Sequence, residues 1–330
     1  MRSIRRNARR VAAAAVASGL VTAGALALTT SAASAATSGS ATGHSQSYQF
    51  QTIDNPRDLT FNQLLGINDE GEIAGYFGSG AQHHPNKGYV IPPFTRHFVN
   101  ENFPGSVQTQ VTGLNNRGVT VGFWSSMNNA NQVNDNHGFV DVGGHFRTAD
   151  FPTGSPATPP VDQLLGVNDN DVAVGFYTDA SGNNHGYEYN INHSRFSTVT
   201  ESGVTSLTAA AINNRNDVAG FYTNPSTGNT DGFIKYGNRT FIDLTVHGSS
   251  STMALGVNNY DEVVGVFTVG SGSSAQMHGF TWTPQHGFTT IDDPHGQGTT
   301  TINGVNDHGQ LVGFYTVDGG AITDGFLATP

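Results

Sequence analysis

One ten-residue phrase recurs six times in this chain, and the recurrence restricts the folds open to it. The copies are GINDEGEIAG from Gly66, GLNNRGVTVG from Gly113, GVNDNDVAVG from Gly166, AINNRNDVAG from Ala211, GVNNYDEVVG from Gly256 and GVNDHGQLVG from Gly304. Successive starts are 47, 53, 45, 45 and 48 residues apart. A period of this length belongs to repeat architectures, in which one unit is too small to bury its own hydrophobic face and must stack on a neighbour.

The fifth unit shows what a repeat contains. MALGV is a short apolar run and NNYD a turn. EVVGVFTV is β-branched and aromatic, which suits a strand. A Gly/Ser loop follows, then MHGFTWT and GFTTID as third and fourth strands. No segment carries apolar residues at helical spacing over ten positions. Each unit therefore reads as four short strands, and the chain as all-β.

The repeated Asn (Asn68, Asn115, Asn168, Asn213, Asn258 and Asn306) has a structural role in this reading: it bonds backbone two residues on and starts the turn between the first two strands. Three residues later stand Gly71, Gly118, Asp171, Asn216, Asp261 and Gly309, types that tolerate a left-handed backbone. An aromatic pair follows almost every phrase, as in Phe123-Trp124 and Phe176-Tyr177, and is expected in the core between units. A second phrase marks the third strand, as in His137-Gly138-Phe139, His278-Gly279-Phe280 and Asp324-Gly325-Phe326. A third phrase marks the fourth strand: Phe146 to Asp150, Phe288 to Asp292 and their counterparts.

The sixth unit stops at DGFLATP, before a fourth strand, while YQFQTID stands ahead of the first unit. The N-terminal strand is thus expected to complete the last sheet, giving a closed six-bladed β-propeller of four-stranded blades. An open β-solenoid is the alternative. The phrases resemble the HAF-repeat family of predicted extracellular repeat proteins, over about residues 48–330. The match lies in the G-x-N-x-x-G-x-x-V-G pattern and a step in which this chain has Gly for the family's Ala. The resemblance implies a β-propeller-like fold and an extracellular location, and it brings no reaction and no catalytic residue.

The N-terminus agrees with export. MRSIRRNARR carries five arginines and no acid, an Ala-rich apolar stretch follows, and Ala33-Ser34-Ala35 is a small-x-small site. Residues 1–35 read as a secretory signal peptide, with Arg9-Arg10 compatible with a twin-arginine route. Residues 36–47 read as a disordered leader. Without the signal, Lys plus Arg falls from 14 to nine against 25 acids, near −16 in all. Such a charge excludes nucleic acid and anionic membranes as partners. The absence of cysteine excludes disulfides, thiolate metal sites and cysteine nucleophiles.

Loop lengths separate the two ends of the repeat. The Asn turns and the third-to-fourth strand turns are near-constant. The second-to-third strand loops vary, with Gly-to-Gly distances of 13, 16, 11, 12, 14 and 12 residues, and the connection before Val161 carries an insertion. Function is expected on this irregular rim. Candidate ligand contacts there are Trp124, His83, His84 and Asp54. A glycosidase or lyase would use Asp150, Asp162 or Asp292, although Asp54, Asp150 and Asp292 also read as turn-openers before proline. No cofactor is expected. Calcium at Asn168–Asp171 lacks the turn glycine and further oxygen ligands of a calcium loop. His137, His185 and His278 read as bonding to neighbouring turns. The leading expectation is a secreted, monomeric, non-enzymatic binding propeller for a glycan or protein; the rivals are a carbohydrate-active enzyme and a structural exoprotein.

Overall fold

The computed structural model describes residues 47–81, 83–128, 134–237 and 239–330; the expected signal peptide and residues 36–46 of the leader lie outside them. Among the described residues there is no α-helix, and the chain is all-β. The first unit is a meander of Asn62–Ile67, Ile73–Phe77, Lys87–Ile91 and Val99–Asn100, each strand antiparallel to the one before. The second and third units repeat this order in their own four-stranded sheets. The fourth and fifth share an eight-stranded sheet, in which Thr230 and Ser251 form the one parallel pair. In the last sheet Thr301–Val305, Leu311–Val317 and Ile322–Thr329 are followed by Gln49–Thr52 from the other end of the chain. There Gln49 lies opposite Thr329 and Thr52 opposite Phe326.

Burial falls from the first strand of each unit to the fourth. Gln108–Leu114 is buried along its whole length, whereas Gln49–Thr52 and His145–Thr148 are mostly exposed. Both faces of the first strands are covered, which suits an apolar run such as MALGV in the fifth unit. Every first strand also carries one bulge, at Leu64/Gly66, Val111/Gly113, Leu164/Gly166, Ala209/Ala211, Ala254/Gly256 and Ile302/Gly304. An extra residue there increases the local twist.

The glycine that ends each phrase has a steric cause. A Cβ on Gly122 would lie 2.0 Å from the Gln110 carbonyl oxygen and 2.8 Å from the Phe139 ring; on Gly265 it would lie 1.9 Å from the Met253 oxygen and 2.9 Å from the Phe280 ring. The third-strand aromatic lies over the second-strand glycine, and the two positions are one packing device. Phe139, Phe233, Phe280 and Phe326 are all fully buried, each contributing roughly 1.5–3 kcal/mol of apolar burial.

The aromatic pair divides its work. Phe123, Phe176 and Phe221, the first members, join Leu165, Ala210, Leu255 and Val266 in one cluster drawn from several units. The second members pack between adjacent sheets, Trp124 and Tyr222 among them. The same kind of cluster joins the sixth unit to the first, where Val312 and Leu327 meet Leu64, Ile67 and Tyr89.

Candidate functional site

At the hairpin end the repeated Asn does more than start a turn. Asn168 Oδ1 accepts from the backbone N–H of Asn170 and of Val172, each at 3.0 Å. The other five copies accept from the same two positions. The left-handed residues expected to close these turns are found with positive φ, from 56° at Asp171 to 81° at Gly71. Each side chain also reaches into the next unit. Asn68 Nδ2 donates to the Asn115 carbonyl, Asn115 to Asn168, Asn168 to Asn213, Asn213 to Asn258, and Asn258 to Asn306. Asn306 Nδ2 then donates to the Asn68 carbonyl at 2.9 Å.

The following residue makes a second cycle. It is always Asp or Asn: Asp69, Asn116, Asp169, Asn214, Asn259 and Asp307. The backbone N–H of each donates to Oδ1 of the next at 2.8 Å, and Asp307 N–H donates to Asp69 Oδ1. These two rows of side chains line a polar depression of about 360 Å³. Another of about 430 Å³ lies against the bulged parts of the first strands. The strict Asp/Asn alternative at this second position was the available sequence signal for the inter-unit bonding.

The calcium candidate sits in this network. Asp169 accepts from Asn116 N–H, Asn116 Nδ2 and Asn214 Nδ2. Asp171 Oδ2 accepts from Asn192 Nδ2 and Arg117, each at 2.9 Å. Protein donors therefore occupy these oxygens. Among the described residues no group of three His, Asp or Glu side chains is arranged to hold a metal.

The opposite end holds the remaining candidates. Asp150 Oδ1 accepts from Gly138 N–H at 2.9 Å, and its Oδ2 lies 2.7 Å from His137 Nδ1. Asp292 does the same with Gly279 N–H and His278 Nδ1, at 3.2 and 2.7 Å. Asp54 Oδ1 accepts from Gly325 N–H at 3.1 Å. These carboxylates cap the third-strand phrase. The turns at Pro56 and Pro294 are opened instead by the next residue, with Asn55 accepting from Arg57 N–H and Asp293 from His295 N–H. The bond to Asp150 raises the pKa of His137. His185 bonds Asp179 at 2.8 Å, within the preceding loop.

Asp162 joins Asp150 beside Gly138, and its Oδ1 lies 3.2 Å from where a Gly138 Cβ would be. Burial first, then the negative charge of Asp150, push its pKa up to about 8, against the opposing bond from Tyr187. Its Oδ2 accepts from Phe151 N–H at 2.8 Å. Thr109, Thr252 and Thr300 accept at the equivalent place in other units, each at 3.1 Å. The position is thus a loop anchor that one unit fills with a carboxyl group. Asp292 lies in a different unit and does not join the pair.

Trp124 is held between Phe103 and His137, with ring centroids at 4.6 and 4.8 Å. Both faces of the indole are covered, which leaves neither for a sugar ring, and the core role fits the side chain. His83 is exposed at φ 70°. His84 is exposed 3.7 Å from Asp58. Trp124, the two histidines and Asp54 do not converge on one site.

No family model matches the chain, and no curated protein matches it. Among solved structures it is similar to a nidogen/laminin complex, with 11% identity over 74% of this chain and 85% of that one, at a TM-score of 0.46. It is similar to an ulvan lyase of polysaccharide lyase family PL25 bound to -[GlcA(1-4)Rha3S]-, with 12% identity over 81% and 78%, at a TM-score of 0.44. It is also similar to TolB from Acinetobacter baumannii, with 10% identity over 78% of this chain and 63% of that one, at a TM-score of 0.46.

Proposed function

We propose that this chain is an exported, six-bladed propeller of the HAF-repeat type, closed by its N-terminal strand, which binds a glycan or protein and catalyses no reaction. The closed form is supported by the pairing of Gln49–Thr52 with Ile322–Thr329 and by the return of the asparagine bonds from Asn306 to Asn68. The observation that carries the binding reading is the employment of the acids. Asp54, Asp150 and Asp292 each cap a third-strand glycine, and Asp162 anchors Phe151. A glycosidase sets two carboxyl groups on either side of one substrate bond, whereas Asp162 is buried and Asp292 belongs to a different unit from Asp150. The irregular rim, with residues 78–87, 125–136, 150–162, 178–184, 223–230, 268–277 and 292–300, remains the proposed binding face.

The test is to incubate the mature protein with a panel of soluble polysaccharides. Retardation in affinity electrophoresis without new reducing ends or unsaturated uronates is the expected result. Release of either product, lost in Asp150→Asn, would overturn the non-enzymatic reading.

A further inference from the structure

Two acids meet across the seam between the first and second units. In the second unit Asp141 lies directly opposite Thr120 on one neighbouring strand and Phe146 on the other. Residues opposite one another share a face of the sheet. Phe146 packs against a cluster that holds Ala74 and Val90 of the first unit, so the face carrying Asp141 and Thr120 looks toward that unit. The first unit supplies Glu101, just beyond its fourth strand Val99–Asn100 and tied by its N–H to the Gly88 carbonyl at 3.1 Å. Glu101 Oε1 accepts from Thr120 Oγ1 at 2.7 Å. The Glu101 carboxyl group is also hydrogen-bonded to that of Asp141.

A bond between two carboxyl groups requires a proton, because ionised carboxylates only accept and repel one another. Asp141 is 6% exposed, and its Oδ2 accepts from Gly144 N–H at 3.1 Å. Its Oδ1 is buried and has no N–H or O–H partner among the described residues. The Thr120 hydroxyl is already given to Glu101. A proton on Glu101 is therefore the donor that Asp141 Oδ1 lacks. Burial, then the charge and hydrogen bond of Asp141 and the charge of Glu72, push Glu101 up to about 7 against the bond from Thr120. Glu70 adds its charge behind Glu72. The basic side chains of these two units serve elsewhere: Lys87 Nζ donates to the Val107 carbonyl, and Arg117 pairs with Asp171.

We propose that Glu101 and Asp141 share one proton across this seam and act as a pH-sensitive latch, which holds the first two units together in acid and loosens in alkali. Loss of the proton leaves two carboxylates facing each other where solvent screens them poorly. Because Glu101 is raised above its ordinary value near 4.5, the stability it contributes is complete below that value and is lost as pH rises through about 7. The same two units are joined at the loop end by Asn128 Nδ2, which donates to the Ala81 carbonyl at 3.2 Å. A loosened latch therefore frees the loops of residues 78–87 and 125–136 to move apart. The device does not depend on what those loops bind.

The test is thermal melting at pH 5 and pH 8 of the full mature chain carrying Asp162→Asn, which removes a second buried acid that titrates near this range. This protein is expected to lose roughly 5 °C between the two conditions. Adding Glu101→Gln supplies an amide that donates to Asp141 at any pH, while its oxygen still accepts from Thr120. The loss is then expected to shrink to about 1 °C. Asp141→Asn provides the N–H from the other side and is expected to flatten the profile likewise, should the glutamine variant fold poorly. Hydrogen exchange locates the effect. Without Glu101→Gln, protection factors in residues 119–142 are expected to fall about tenfold from pH 5 to pH 8, and those in residues 218–236 less than about twofold. An undiminished melting loss in Glu101→Gln would overturn the shared proton. Equal falls in protection at both segments would mean general loosening and overturn the latch.

Discussion

The hairpin end and the loop end of this molecule solve the same problem in opposite ways. Both must satisfy the polar groups exposed where strands stop. At the hairpin end one residue type does so six times over, and every Asn serves its own turn and the next unit together. At the loop end each unit differs: Asp150 and Asp292 each bond a His, Asn102 caps Gly88, His185 bonds the loop residue Asp179, and Asp54 caps Gly325. The first end is bound into a cycle and tolerates little change of residue type. The second is also bonded between units, but by partners that differ from unit to unit, as with Lys87 Nζ on the Val107 carbonyl and Asn184 Nδ2 on Thr208 Oγ1. Loops built on such varied contacts are where ligand sites tend to arise.

The largest test of this contrast removes residues 48–54. The deletion strips Tyr48, Phe50 and Ile53 from their clusters and should cost about 5 kcal/mol at 1.5–3 kcal/mol per buried side chain. A melting temperature equal to the parent's would show that the first and last units do not depend on that strand. Next in size is Gly122→Ala, which drives a methyl group into the Gln110 carbonyl and the Phe139 ring. A loss of about 3 kcal/mol is expected in urea unfolding, and a loss under 1 kcal/mol would mean that the sheet yields more easily than its geometry suggests.

Asn168→Ala sharpens the comparison directly. A purely local turn bond is worth about 1 kcal/mol, but Asn168 also donates to the Asn213 carbonyl and to Asn216 Oδ1. Losing the two turn N–H bonds together with both bonds into the next unit should cost about 2–3 kcal/mol, against under about 1 kcal/mol for Asp150→Asn at the loop end. Equal losses would erase the distinction between the two ends.

A further test is pH-dependent. The raised pKa of Asp162 means that its contribution to stability is full below its unfolded value near 4 and is lost as pH rises through about 8. Asn62 occupies the equivalent position in the first unit and accepts from Tyr89 OH at 2.7 Å. Asp162→Asn should therefore melt with the parent at pH 4 and above it at pH 9. Parallel curves across this range would contradict the buried acid form.

Several features were legible in the sequence for stated physical reasons. Period, strand content and the Asn turns are local properties: they depend on β-branched runs, on a side chain bonding two residues on, and on residues that accept positive φ, as found at Asp171 and Asn216. The aromatic pair announced core packing, though which member faces which cluster required knowing where the other units lie. The candidate site was less legible. Trp124 stood out by rarity, yet Phe103 and His137 come to its two faces from other strands. Asp150 and Asp162 stood out as carboxylates, yet what employs them is a backbone N–H of another strand and of another loop residue.

By itself, the sequence determined that this protein is built from six all-β units, because periodic pattern and turn chemistry act over a few residues and can be read along the chain. Tertiary structure decided which polar groups meet. The inter-unit asparagine bonds span 45 to 53 residues, or 238 where Asn306 reaches Asn68, and Asp54 caps the Gly325 N–H from the opposite end of the chain. Coulombic and hydrogen-bond energies depend on distance in space, and only the folded chain sets those distances.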